Sequence, residues 1–314
     1  MMKRKAHFRS AELGLYTDHN LRFLYVLNTS KFDSVDQRCS QYMMVFDPLH
    51  PVGSLTKKLD LSYNSSIFDA FEIFLSSGGT LKELNLESNI EVNSKFITLI
   101  CNNVMCKRFL ENISLAGCSG IQLTDISQLY NFIQLQHLNL SRLDFVNDSA
   151  VENICAKLPL LHSIDVSDCP QLTDRSLASV SNHLANRLSY FHCSRNKNIT
   201  QAGANAVVLK CESLLVLSLN DCAKVNFVGV LVKTFGKANN IGFIYTHMTS
   251  PQIYSGMHQF VSRNIRTLQL DGFGVEATNS RSLQWIGAAL PDLRELSLKN
   301  CRALSDSMLA GKCK

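Results

Sequence analysis

The sequence predicts an α/β solenoid in which repeated strand–helix units stack side by side. Two observations support this fold class. One apolar motif recurs along most of the chain, and between its copies the apolar residues return at the spacing of a helix. The 314 residues are 46% hydrophobic and only 18% charged. A chain of this length and composition buries a large core and is too apolar for intrinsic disorder.

The recurring motif has the form Leu-x-x-Leu-x-Leu-x-x-Asn/Cys, and its positions are numbered here from one to nine. From residue 81 onward, successive copies begin 29, 25, 26, 27, 26, 27, 24 and 28 residues apart, which is the period of leucine-rich repeats. We therefore predict about ten repeats in a curved horseshoe, with a parallel sheet on the concave side and helices on the convex side. The copies begin at Leu81, Leu110, Leu135, Leu161, Leu188, Leu214, Ile241, Ile265 and Leu293.

Each copy of the motif predicts one short strand. Positions four and six face the same side of that strand, because side chains alternate along it. Position one lies just before the strand and joins them in the core. At position nine the chain turns inward. An asparagine there can hydrogen-bond the backbone of a neighbouring coil, and a cysteine is a small buried group with a weak donor.

The segments between the strands carry apolar stripes at helical spacing, so each repeat is completed by a helix. Thr173-Asp174 and Ser305-Asp306 are typical of helix N-caps. The stripes consist of Ile67, Phe68, Phe71, Phe74 and Leu75; of Phe96, Leu99, Ile100 and Val104; of Val151, Ile154, Cys155 and Leu158; and of Leu177, Val180 and Leu184.

The repeats divide the chain into two parts. Residues 55–314 form the repeat domain, which starts with a poorer copy of the motif around Leu59 and Leu61. Residues 1–54 have weaker periodicity, and we expect an N-terminal cap there that includes one degenerate repeat around Leu21 and Leu24.

Charge and cysteine content bear on the cellular setting. The formal net charge is +5, and Lys3, Arg4, Lys5 and Arg9 account for most of it, so the body offers no basic stripe for nucleic acid. The basic tip is compatible with a nuclear signal or a mitochondrial presequence. No signal peptide or membrane span is recognised. Eleven cysteines, an odd number without a signal peptide, favour a reducing compartment, the cytoplasm or nucleus.

Cysteine at position nine is a further regularity. Residues 169–177 read Cys-Pro-Gln-Leu-Thr-Asp-Arg-Ser-Leu, and residues 301–309 read Cys-Arg-Ala-Leu-Ser-Asp-Ser-Met-Leu. This cadence resembles the cysteine-containing leucine-rich repeats of F-box/leucine-rich-repeat proteins and of their antagonist-of-mitotic-exit-like relatives, and the resemblance covers residues 55–314. No F-box is recognisable in residues 1–50, and the only tryptophan is Trp285.

The resemblance implies a substrate-recognition adaptor of an SCF-type ubiquitin ligase. Its partners would be another protein on the concave face, together with a Skp-type adaptor and a cullin. The alternative is a structural or assembly subunit of a larger ciliary, axonemal or mitochondrial complex, without a role in ubiquitination. Neither interpretation requires nucleic acid, a membrane or a cofactor.

The candidate binding residues lie at the odd positions of the strands, which the repeat leaves on the concave face. Aromatic and polar residues concentrate in neighbouring repeats, and such anchors are typical of interface hot spots. The alternative is that the repeat at 241–249 is degenerate and its aromatic residues pack inward or under a loop. The predicted protein-binding residues are Asp165, Tyr190, His192, Phe243, Tyr245 and His247; Asp168 and Asp221 are further candidates for a basic partner.

Position five supports an open concave face. Its occupants are all polar or amphipathic, so we expect them to be exposed. They are Asp60, Asn85, Ser114, Asn139, Asp165, His192, Ser218, Tyr245, Gln269 and Ser297.

The sequence predicts no enzyme, no cofactor and no metal site. His192 and Cys193 are adjacent on a strand and therefore point to opposite faces, which prevents joint action. Cys101 and Cys106 have apolar neighbours on a predicted helix and lack a second ligand pair. No phosphate-binding glycine loop, nucleophile elbow or His-Glu-x-x-His motif occurs.

Overall fold

The computed structural model of the protein describes residues 23–24, 57–63, 68–76, 80–225, 243–245, 266–269 and 290–298. They belong to two compact units, Met1–Asn139 and Leu140–Lys314. In each unit, short parallel strands alternate with helices, which confirms the predicted α/β repeat fold.

In the first unit, neighbouring strands in the sheet are also successive in the chain, and all pairs are parallel. The pairing aligns position four of each repeat: Leu24, Leu59, Leu84, Ile113 and Leu138 lie opposite one another in turn. Its elements are β1 (Phe23–Leu24), β2 (Lys58–Asp60), α1 (Phe68–Ser76), β3 (Glu83–Asn85), α2 (Ser94–Asn102), α3 (Val104–Phe109), β4 (Asn112–Ser114), α4 (Leu123–Gln128), a 3-10 turn (Leu129–Asn131) and β5 (His137–Asn139).

The second unit has the same arrangement. Its register again aligns position four, from Ile164 through Phe191 and Leu217 to Ile244, Leu268 and Leu296. Its elements are α5 (Asp148–Lys157), β6 (Ser163–Asp165), α6 (Asp174–His183), β7 (Tyr190–His192), α7 (Gln201–Lys210), β8 (Val216–Ser218), β9 (Phe243–Tyr245), β10 (Thr267–Gln269) and β11 (Glu295–Ser297).

The core lies between the sheet and the helices. Positions one, four and six are buried in every repeat that starts between residues 81 and 214, as the motif predicts. The repeat at β11 differs, because Leu296 at position four is 41% exposed.

The helices follow the predicted stripes in α1, α5 and α6, but one prediction is wrong. The stripe at 96–104 is not a single helix. Asn103 leaves the helical backbone conformation and its side chain accepts a hydrogen bond from the Cys106 amide (2.9 Å), which ends α2 and caps α3. Val104 is consequently 72% exposed, and Ile97 and Cys101 take up the inward face instead.

The predicted N-cap at Thr173 is confirmed. Its hydroxyl accepts a hydrogen bond from the Arg175 amide (3.2 Å) at the start of α6. Thr200 caps α7 in the same way, through the Ala202 amide (3.2 Å). The second predicted cap, Ser305-Asp306, lies outside the described residues.

Position nine links adjacent coils. Asn89 Nδ2 donates to the Leu61 carbonyl (3.0 Å), and Cys118 Sγ donates to the Leu86 carbonyl (3.0 Å). In the second unit, Cys169 Sγ reaches Leu140 O (3.3 Å), Asn196 Nδ2 reaches Val166 O (2.9 Å) and Cys222 Sγ reaches Cys193 O (3.1 Å). In each case the acceptor is position six of the preceding repeat. Asparagine and cysteine therefore both donate to the preceding coil from this position.

Position eight adopts a left-handed backbone conformation in each repeat from β2 to β8. Gly117 is the one glycine among them, and the other six residues have side chains that resist this conformation. The residues and their φ angles are Tyr63 (58°), Ser88 (52°), Gly117 (65°), Arg142 (61°), Asp168 (60°), Arg195 (59°) and Asp221 (58°). The tight turn after each strand imposes this conformation whatever the residue type.

Candidate functional site

The candidate site lies on the face of the sheet that points away from the helices, here called the strand face. It is formed by positions three, five and seven of the repeats. In the second unit, β7 presents Tyr190 and His192 on this face while Phe191 between them is buried. Tyr190 is 36% exposed and His192 is half-buried. An aromatic side chain outside the core is thus displayed on a rigid strand.

The structure brings three of the predicted binding residues together. β6 pairs with β7 so that Asp165 lies opposite His192 and Ser163 lies opposite Tyr190. Adjacent strands are about 4.8 Å apart, so the carboxylate and the imidazole are next to each other on one face. Asp165, Tyr190 and His192 therefore form one continuous patch.

Two further predicted residues belong to β9. Its backbone pairs with β8, which places Phe243 opposite Val216 and Tyr245 opposite Ser218. The structure describes only the backbone of β9. His247 lies outside the described residues.

The strand face is not open everywhere. The sequence predicts that every position-five residue is exposed, and for Ser218 this is wrong: Ser218 is 6% exposed, and Val216 on the same strand is 8% exposed. The Ser218 hydroxyl is hydrogen-bonded to the Ser194 hydroxyl (2.8 Å). The strand face at β8 is therefore less exposed than at β6 and β7, and the Ser218 hydroxyl is satisfied within the chain.

Buried serines at position seven explain part of this arrangement. The Ser167 hydroxyl accepts from the Ser194 amide (3.0 Å), and the Ser194 hydroxyl accepts from the Asn220 amide (3.1 Å). The small hydroxyl thus links each coil to the next just beyond the strand. Ser167 and Ser194 are buried and join adjacent coils, so their hydroxyls are not available to a partner.

Asp165 also has a structural role that the sequence analysis missed. Its Oδ1 accepts a hydrogen bond from the Ser167 amide (2.9 Å), and Asp60 makes the same turn with Ser62 (2.9 Å). The signal was present in the sequence, because Asp and Asn readily bond the amide two residues further on. The turn fixes the carboxylate at the edge of the patch.

The other acidic candidates lie beside the patch, at position eight. Asp168 Oδ2 forms an ion pair with Arg195 Nε (2.9 Å), and both side chains are about half exposed to solvent. Arg142, Asp168, Arg195 and Asp221 alternate in charge from one repeat to the next. Because Asp168 is already paired with Arg195, it attracts a basic partner less strongly than Asp165 does.

The described cysteines are poor candidates for thiol chemistry. All eight are buried, and none of them is in a disulfide bond. Burial raises the pKa of Cys101, Cys106, Cys155, Cys169 and Cys211 to about 12, and that of Cys222 to about 11. A nucleophilic cysteine reacts as the thiolate. At neutral pH these thiols are protonated, which fits their roles in packing and in the position-nine bonds.

Within the described ranges, no group of three or more His, Cys, Asp or Glu side chains is arranged to hold a metal ion. No helix in those same ranges has the length and apolar character that crossing a membrane requires.

Comparisons with known proteins bear on the fold. No family model matches the sequence, and no curated protein matches it. Among solved structures, the leucine-rich-repeat protein LegL7 of Legionella pneumophila is similar over 81% of this chain and 88% of that chain, with 15% identity and a TM-score of 0.51. A chain of the Rad7–Elc1 complex in yeast is similar over 81% of this chain and 73% of its own, at 15% identity and a TM-score of 0.49.

An internalin from Listeria monocytogenes is similar over 82% of this chain and 65% of its own, with 15% identity and a TM-score of 0.48. Identities this low bear on the fold alone. The likeness to LegL7 agrees with the strand register and with the buried motif positions. The chain has the α/β leucine-rich-repeat solenoid fold.

Proposed function

We propose that this protein is a binding module that holds another protein against the strand face of residues 140–314. The proposed docking residues are Asp165, Tyr190 and His192 on β6 and β7, and Phe243 and Tyr245 on β9, which β8 separates from β7, together with His247. The observation that carries the proposal is the exposure of Tyr190, 36% on a strand whose central residue is buried. Large aromatic side chains of this kind contribute much of the energy of protein interfaces.

The environment of Tyr190 supports a protein ligand. Its neighbours in register are Ser163 and Val216, whose side chains are smaller than the Tyr190 ring. Asp165 and His192 add polar groups that can orient a partner. A mixed aromatic and polar surface on a rigid strand suits a protein segment, which buries the ring and pairs with the polar rim.

Affinity capture of the full-length protein tests this proposal. Tyr190→Ala combined with His192→Ala should abolish recovery of the partners found with the wild type. Phe243→Ala combined with Tyr245→Ala should do the same. The matched control is Asn153→Ala with Lys157→Ala, on the exposed side of α5. Circular dichroism and chemical unfolding establish that each variant is folded. Full recovery of all partners by both folded double variants would refute the proposal.

The finer proposal is that the module recognises substrates for an SCF-type ubiquitin ligase, as the cysteine-containing repeats suggest. The identity of the captured proteins decides between this role and the alternative. Co-purification of a Skp-type adaptor and a cullin with the wild type and with the control variant would support the adaptor role. A stoichiometric assembly without them would instead support a structural or assembly subunit.

The proposed location is the cytoplasm or nucleus. It is supported by the eight described cysteines, which are buried and not disulfide-bonded and which a reducing compartment keeps as thiols. Fractionation of cells that express the tagged full-length protein tests it, and recovery from the mitochondrial matrix would contradict it.

A further inference from the structure

Three adjacent strands of the first unit carry only polar side chains at positions three and five of their strand face. These are glutamate and asparagine on β3, asparagine and serine on β4, and histidine and asparagine on β5. The strand register places Asn85 opposite Ser114, and Glu83 opposite Asn112. This surface differs from the patch around Tyr190, because it offers hydrogen-bonding groups without an apolar anchor.

The hydroxyl of Ser114 is a buried polar group. Its oxygen is shielded from solvent, and no group in the part of the chain that the structure describes forms a hydrogen bond with it. A buried hydroxyl without a hydrogen bond destabilises a protein and calls for an explanation. Ser218, at the same position of β8, is bonded to the Ser194 hydroxyl (2.8 Å), so the repeat itself does not impose this state. No structural hydrogen bond accounts for Ser114.

Two asparagines beside Ser114 also have unused hydrogen-bonding groups. Asn85 accepts from the Glu87 amide through Oδ1 (3.1 Å), and within the described ranges its Nδ2 has no acceptor. The side-chain amide of Asn112 has neither a donor nor an acceptor partner among those same residues. Both side chains are half-buried, so they present amide groups at the surface from fixed positions on two paired strands.

The charge and spacing of these groups suit the backbone of a peptide. Glu83 lies next to both asparagines and is paired with Lys58 (2.7 Å), so the groups left to a ligand are neutral donors and acceptors. A strand spacing of about 4.8 Å and a rise of about 3.3 Å per residue place the Cα atoms of Asn85 and Asn112 roughly 8 Å apart. Peptide groups on one edge of an extended chain recur about every 6.7 Å, a difference that two flexible amide side chains can accommodate.

We infer that β3 and β4 form a second interaction surface, made by Asn85, Asn112 and Ser114, that binds an extended segment of a partner protein through its backbone. The Asn85 amide donates to a carbonyl of the segment, and the Asn112 amide both donates and accepts, as a peptide group does. The segment displaces the groups that shield the Ser114 hydroxyl and provides the partner that this hydroxyl lacks. Recognition through neutral groups requires neither an acidic nor a basic segment.

The test uses immobilised full-length protein and a displayed library of random peptides. Peptides that also bind the double variant Asn85→Ala/Asn112→Ala, shown to be folded by circular dichroism, are removed by counter-selection. The peptides that remain are resynthesised, and their binding to Asn85→Ala, Asn112→Ala and Ser114→Ala is measured by fluorescence anisotropy. The matched control is Asn102→Ala, which removes an exposed asparagine at the end of α2 in the same unit.

Each of the three test variants should weaken peptide binding about three- to tenfold, whereas Asn102→Ala and Tyr190→Ala should bind like the wild type. Replacement of one backbone amide of the peptide by an ester removes a single N–H donor, and it should cause a similar loss where that amide contacts Asn112. Ser114→Ala has a second signature. Because it removes an unsatisfied hydroxyl, the free variant should be no less stable in urea than the wild type.

Three outcomes would overturn the inference. They are a library from which no peptide survives the counter-selection, surviving peptides that tolerate every ester replacement, and a Ser114→Ala variant that is less stable than the wild type in its free form. The inference is independent of the proposed docking residues. Peptides that are removed by the counter-selection and that lose binding only to Tyr190→Ala use those residues, so the proposed function would stand even where this surface fails.

Discussion

The carboxylate of Asp148 accepts two hydrogen bonds from Thr173, one from its amide (2.9 Å) and one from its hydroxyl (2.6 Å). Ser176 donates a third. Asp148 is the first residue of α5, and Thr173 is the N-cap of α6, so the start of one helix orients the cap of the next. Asp174 and Thr200 repeat the relationship between α6 and α7: the Thr200 amide donates a hydrogen bond to Asp174 Oδ1 (2.7 Å).

This relationship predicts a pH dependence of stability. Burial raises the pKa of Asp148, but the bonds from Ser176 and Thr173 outweigh it and hold the pKa below its ordinary value. The folded state therefore gains stability above the unfolded pKa of about 3.9 and loses it as the pH falls through the lower, folded value. Urea unfolding between acidic and neutral pH should show that the stability of Asp148→Asn changes less with pH in the acidic range than that of the wild type. At neutral pH the variant should be less stable by about 1–2 kcal/mol.

The control for this experiment is Asp144→Asn, which alters an exposed carboxylate in the same repeat. Its unfolding curve should keep the pH dependence of the wild type. If Asp148→Asn and the wild type gave parallel stability curves throughout the acidic range, the proposed contribution of the cap linkage would be wrong.

Gly203 provides a test of how tightly α6 and α7 pack. A Cβ atom at this position would lie 2.4 Å from Asp174 Oδ1 and 2.9 Å from its Cγ. Thr200 holds that carboxylate, so it cannot move without breaking the cap linkage. We expect Gly203→Ala to lower the free energy of unfolding by about 1–3 kcal/mol.

A serine at position 203 makes the prediction sharper. Ser176 occupies the equivalent position of α6, where its hydroxyl bonds Asp148. Gly203→Ser can make the same bond to Asp174, so it should be less destabilising than Gly203→Ala despite its larger side chain. Thermal unfolding of both variants decides the point, and an alanine variant more stable than the serine variant would contradict it.

The sequence predicts the interior of this fold better than its surface. Positions one, four and six are specified by residue type, because only apolar side chains stabilise a dry core. The role of position nine can be predicted for a similar reason, because asparagine and cysteine can be buried there while they donate to a neighbouring carbonyl. The register of all described strands follows from these positions.

Position eight could not be predicted in this way. Tyrosine, serine, glycine, arginine and aspartate all occupy it, so no residue type marks the left-handed turn. The burial of Ser218 was equally hidden, since it depends on neighbouring strands rather than on the residue itself. The sequence gives a clearer signal for the helix break at Asn103, because asparagine is a common N-cap. Features that depend on backbone geometry or on neighbouring strands therefore cannot be predicted from the pattern of residue types.

The buried cysteines predict slow thiol chemistry. Of eleven cysteines, the eight described ones are buried, and burial raises the pKa of seven of them, which adds to their protection: Cys101, Cys106, Cys155, Cys169, Cys193, Cys211 and Cys222. Ellman's reagent should therefore modify no more than Cys39, Cys301 and Cys313 in the folded protein, and all eleven after denaturation. Mass spectrometry of the modified peptides identifies the sites. Rapid labelling of Cys193 or Cys155 in the native state would show that the core opens far more readily than its packing indicates.

Asn196 makes a strong prediction about position nine. Its Oδ1 accepts from the Cys169 amide (2.8 Å), and its Nδ2 donates to the carbonyls of Val166 (2.9 Å) and Cys193 (3.2 Å). Asn196→Ala leaves an amide and two carbonyls without these buried partners, so the free energy of unfolding should fall by about 3 kcal/mol or more.

Asn196→Cys separates the two roles of this side chain. Cysteine at position nine retains the donor to the preceding coil, as Cys169 and Cys222 do, but cannot accept from the Cys169 amide as the Asn196 carbonyl oxygen does. Its stability in urea should therefore lie between those of the wild type and Asn196→Ala. If both variants lost the same stability, only the hydrogen bond accepted by Asn196 Oδ1 would matter. If Asn196→Cys were as stable as the wild type, only the hydrogen bond donated to the preceding coil would matter. The intermediate value is expected because Asn196 both donates to and accepts from the preceding coil, and cysteine retains only the donor.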